Sequence, residues 1–176
     1  MKHIITIIFI ALCQVAFGQE IGSKEVRSLL LGQLITSHNQ AAWYVPANTA
    51  IEGLTAEQAS WKDGSGNHSV GQLTHHLVFW NEGNLKYLSG IKEEKFTGTN
   101  EETFDKFDPK AWNDLVKRLD AVMIGLEKLV SEASDAKLKE IAPTILNIAA
   151  HNAYHVGQII VVRKEQKSWN PEKGVK

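Results

Sequence analysis

From Trp112 to Val130 apolar residues recur three and four apart without a break, through Leu115, Leu119, Val122, Met123 and Leu126. Such a stripe is stable as a helix with one face buried, and a single helix cannot bury its own face. The chain must therefore supply further helices. Asp108 is an N-cap for this one, with Pro109 at the first helical position.

Three other stretches answer the need. One runs from about Lys24 with Val26, Leu29, Leu30, Leu34 and Trp43 at helical spacing, until Pro46 kinks or ends it. The segment 47–53 continues beyond that point, Thr55 and Gln58 form a capping box, and 63–67 reads as a loop. A second helix opens at another capping box, Ser69 with Gln72, and runs to Leu88, where Ser89 and Gly90 stop it. The last begins near Pro143 and ends near Lys167. Between them, 91–107 is charged, rich in Thr and Glu and weakly periodic, and reads as a long surface connection over one end of the molecule. No strand or repeat is predicted. The fold class that follows is all-α, a four-helix bundle with one long connection.

The chain has 176 residues, 43% of them hydrophobic, which suits one globular domain with a real core. A net charge of −1 and the lack of a Lys/Arg block argue against nucleic acid as a partner. Lys2 precedes the apolar run 4–12, and Ala16 and Gly18 follow it, which describes a secretory signal cut after Gly18. The expected domains are thus 1–18, a signal peptide, and 19–176, an exported periplasmic or extracellular bundle. No membrane span remains after signal removal. Lipidation of Cys13 requires a small residue before it, and Leu12 is not small. The mature chain then has no cysteine, which excludes a thiolate nucleophile or a thiolate-bound metal.

Chemistry concentrates on histidine. His151 and His155 are four apart on the last helix, so their rings stack one turn apart on the same face as Ile148, Ile159 and Val162. A helical wheel turning about 100° per residue puts His76 at the edge of the apolar stripe of Val70, Leu73, Leu77 and Trp80, and turns His75 toward solvent. Three buried imidazoles without partners are costly, roughly 1–3 kcal/mol each. If they converge, three neutral nitrogens suit a divalent ion such as Zn²⁺, Ni²⁺ or another first-row metal, with a position left open. His76, His151 and His155 are therefore the candidate metal ligands. His38 is a weaker candidate for a fourth ligand or an outer donor, and reads better as partly exposed; His68 reads as loop.

Gln158, Gln72, Asn147 and Asn152 could bond a ligand or a bound water. Trp80, Trp112, Trp61, Trp43, Tyr87 and Tyr154 read as core more than pocket. Asn152 stands where a His-Glu-x-x-His metalloprotease has its glutamate, which weakens that reading, and no catalytic residue can be named.

The run Ser69-Val-Gly-Gln-Leu-Thr-His-His76-Leu-Val-Phe-Trp80 resembles the second-helix motif of the DinB-like proteins. His151-Asn-Ala-Tyr-His155-Val-Gly-Gln-Ile159 resembles their fourth-helix motif, and 51–61 their segment between the first two helices. The resemblance covers nearly all of the mature chain. It implies an up-and-down-type four-helix bundle, often a homodimer, with a divalent metal on the residues matching His76, His151 and His155. It also implies a small-molecule substrate: some relatives are transferases or isomerases that use low-molecular-weight thiols, and others are metal-dependent hydrolases. The export signal is a departure, since cytosolic thiols are scarce outside the cytoplasm. The competing expectations are an enzyme, a metal-binding module without turnover, and a dimeric helical interaction module.

Overall fold

A computed structural model describes residues 22–174. The expected signal, its cleavage after Gly18 and Cys13 lie outside these residues. Seven helices are described: α1 (Ser23–His38), α2 (Ala47–Ile51), α3 (Ala56–Ser60), α4 (Val70–Leu88), α5 (Glu102–Asp105), α6 (Trp112–Glu132) and α7 (Asp135–Glu165). The described residues contain no strand. The long helices α1, α4, α6 and α7 form the bundle. Each packs on two neighbours, in the ring order α1, α6, α4, α7. Leu34, Leu77, Leu119, Met123, Leu126, Ile145 and Ile159 are fully buried between them.

Side-chain pairs fix the directions. Arg27 near the start of α1 donates to the Val130 and Ala133 carbonyls at the end of α6, so these helices are antiparallel. Arg118 forks onto Glu82 at 2.8 and 2.6 Å, and Leu85 lies against Gly125, so α4 and α6 run parallel. Two consecutive long helices can be parallel only if the chain between them travels back along the bundle. The connection 89–111 therefore runs the length of the molecule, where an end cap was expected. Phe107 anchors it by packing on Gly71, a position where a Cβ would strike the ring. On the way it forms α5, which packs on α4.

Both capping boxes are present, with Thr55 and Ser69 each accepting from the amide three residues on. Asp108 accepts from the Lys110 amide and opens a 3₁₀ turn with Pro109 at its first position, leading into α6. Two boundaries differ from expectation. The first helix stops at His38, where the Ile35 carbonyl takes the amides of both Asn39 and Gln40. Trp43 therefore leaves the stripe and is fully exposed. The last helix starts a full two turns before Pro143. Ser134 caps it by accepting from Lys137, and Leu138 and Ile141 extend the buried stripe backward. Pro143 sits inside the helix on its exposed side, where the one amide it removes is tolerated. The far end agrees with expectation: Lys167 takes the left-handed conformation, φ 60°, that terminates helices. No described helix is long and apolar enough to cross a membrane.

Candidate metal centre

The antiparallel α4 and α7 bring their histidines to one level. His76 Nε2 lies 3.1 Å from His151 Nε2, and His155 Nε2 lies 3.0 Å from the same atom. One ligand atom from each of the three rings lies within 4.8 Å of the others. His76 and His155 are buried and His151 is half-buried.

Neighbouring groups decide which nitrogen of His76 and of His155 is free. The Thr103 hydroxyl donates to the Asn100 carbonyl at 2.6 Å, so toward His76 Nδ1, at 2.5 Å, it accepts. His76 thus carries its proton on Nδ1 and points a lone pair on Nε2 into the cluster. Gln158 does the same for His155, its Oε1 accepting from Nδ1 at 2.6 Å while its amide donates to the Tyr154 hydroxyl. Burial, with the adjacent rings, pushes His76 from its ordinary 6.5 down to about 3. Burial and His151 push His155 to about 4, and burial lowers His151 as well. All three are neutral at pH 7.

With its proton on Nε2, His151 donates to one of the other two rings; with its proton on Nδ1, three lone pairs converge and repel unless a cation lies among them. Tetrahedral sharing of one Zn²⁺ at about 2.0–2.1 Å puts donor nitrogens about 3.3 Å apart, close to the two short separations seen. The residues present therefore fit a divalent ion held by nitrogen, with His76 and His155 held in the correct tautomer.

Aromatic rings pack the cluster from outside. Phe104 lies flat on His76, centroids 3.9 Å apart and 6° from parallel, and His68 lies on Phe104 at 3.9 Å and 2°. Trp80 meets His76 edge-on, and Tyr154 meets His155 edge-on.

The chain matches the sequence model of the DinB superfamily over residues 47–159. It belongs to the DinB superfamily. The match takes in α4, α7 as far as Ile159, and all three clustered histidines of this DinB-superfamily protein. No curated protein and no solved structure matches the chain.

Other expected residues go elsewhere. His38 is fully buried, not partly exposed, and bonds Glu127 and Asp120 on the α1–α6 seam, away from the cluster. His75 is not turned to solvent but half-buried, with Nδ1 donating to the Thr103 carbonyl at 2.7 Å. Gln72 is used up in the Ser69 capping box. Asn152 faces the core, accepting from Asn81 at 3.0 Å. Trp112 is buried, its indole donating to the Leu54 carbonyl; Tyr87 is exposed. Thr103 and Phe104 went unread because α5 is four residues long inside a stretch with no period. The only hint was an aromatic residue among charges.

Proposed function

We propose that this protein holds one divalent first-row ion on His76, His151 and His155 and uses it to hydrolyse a small molecule. The supporting observation is the unequal burial of the three rings: two are sealed by Phe104, Trp80, Tyr154 and Gln158, while His151 lines a cavity open to solvent. A purely structural ion needs no such access. When bound, the ion supplies Lewis acidity toward a water or a substrate oxygen. The chain's own part is to fix the two buried rings through Thr103 and Gln158, to exclude water behind them with Phe104, and to leave one approach past His151. Hydrolysis suits the expected export from the cytoplasm better than transfer to a cytosolic thiol. Among the described residues no carboxylate is hydrogen-bonded to the three rings, so neutral groups would have to orient a water there.

Metal analysis of untagged protein tests the assignment. His76→Ala, His151→Ala and His155→Ala each lose the ion, and His75→Ala keeps it. Equal metal content in all four ends the proposal.

A further inference from the structure

The cavity beside His151, about 390 Å³, lies between α4 and α7 and is closed at one side by the long connection. Its chemistry is unusual for this surface. Trp80 and Asn84 come from α4, Thr144 and Asn147 from α7, and Asn100 from the connection, and no charged side chain lines it. The other large cavities differ: that over Trp112 carries Glu52, Lys117 and Asp120, and that beside Tyr154 carries His68 and Glu165. Asparagine is a poor helix-interior residue, because its amide competes for backbone hydrogen bonds. Yet α4 and α7 each place one here, and among the described residues neither the Asn84 nor the Asn147 amide has a protein partner. Each presents a donor and an acceptor side by side. Trp80 supplies an apolar wall, and its edge on the His76 ring joins that wall to the cluster.

We propose that this cavity is the substrate pocket of the metal centre and selects an uncharged carboxamide over a carboxylate or an amine of the same shape. The selection belongs to the side-chain walls and is read without the ion, whose own charge attracts a carboxylate: an amide can donate to and accept from Asn84 and Asn147, whereas a charged group finds no opposite charge among the lining side chains. The proposal rests on the metal reading only for what happens to the ligand once it is bound.

The test uses ¹⁵N-labelled protein, Zn-loaded and metal-free, titrated with benzamide, benzoate and benzylamine. Benzamide is expected to shift the side-chain amides of Asn84 and Asn147 and the Trp80 indole, saturably, in both forms. The metal-free form ranks benzamide first. In Asn84→Ala/Asn147→Ala, benzamide binding weakens roughly tenfold, as two lost neutral hydrogen bonds imply, while zinc content stays that of the wild type. Asn84→Asp/Asn147→Asp reverses the order in favour of benzylamine. Benzoate or benzylamine matching benzamide in the metal-free protein overturns the proposal, and so does any outcome in which benzamide leaves the Asn84 and Asn147 signals unmoved. Loss of zinc from the wild type would instead sink the metal reading while leaving these shifts readable.

Discussion

Two buried histidine sites sit on opposite seams of the bundle and solve the same problem in opposite ways. On the α1–α6 seam, His38 gives one ring nitrogen to Glu127 at 2.7 Å and the other to Asp120 at 2.9 Å, while Asn48 adds a bond to Asp120 at 2.7 Å. Every polar atom of that ring meets an opposite partner within the protein. On the α4–α7 seam, the Nδ1 atoms of the two sealed rings are satisfied by Thr103 and Gln158, and their Nε2 atoms both turn to the one Nε2 of His151, which has a single proton at most to share between them. A histidine that is complete in itself ties helices together; histidines left incomplete in concert are arranged for something from outside.

The largest contrast is in metal content. His151→Ala or His155→Ala removes the ion altogether, whereas His38→Ala leaves the stoichiometry unchanged; a metal-depleted His38→Ala protein would merge the two sites. The ring-orienting group comes next. Thr103→Val keeps the helices, shown by far-ultraviolet circular dichroism, but frees His76 to rotate and weakens zinc binding about 10–100-fold. Thr103→Ser restores it, and a Val variant that binds zinc normally breaks the link between the connection and the centre.

Stability then separates the seams in the other direction. His38→Ala leaves Glu127 and Asp120 without their shared donor and costs roughly 2 kcal/mol after discounting for the half-exposed Asp120. Chemical denaturation reads this as a lower midpoint. An unchanged midpoint would make the His38 bridge ornamental.

The smallest effect is the response of the metal-free protein to mild acid, between pH 7 and pH 6. His76 and His155 titrate near 3 and 4 when folded and near 6.5 when unfolded. The unfolded chain thus takes up protons first as pH falls, and their contribution, complete above about 6.5, drains away toward 4. Between pH 7 and pH 6 the loss is about 1 kcal/mol. Asp120 behaves differently: bonds from Asn48 and His38 hold its carboxyl below 3.8, so its contribution fails only in stronger acid. Stability that rises from pH 7 to pH 6 contradicts the depressed values.

Much of the bundle was legible because helix periodicity is a local signal. The stripe from Trp112 to Val130, the boxes at Thr55 and Ser69, and the shared face of His151 and His155 are all set by spacing along one helix. Pro143 misled because proline favours a first turn, yet the stripe of Leu138 and Ile141 runs through it. His38 misled because its burial depends on two carboxylates of α6, far along the chain.

The residues alone therefore determined the helical class, the superfamily motifs and the inward faces of His76, His151 and His155, since each depends on neighbours a turn or two away. Only the tertiary structure decided that α4 and α6 run parallel, that the connection returns along the bundle, and that Thr103 and Phe104 press against His76. Those facts rest on contacts between segments whose patterns carry no mark of each other. Placing them requires the whole core to close at once.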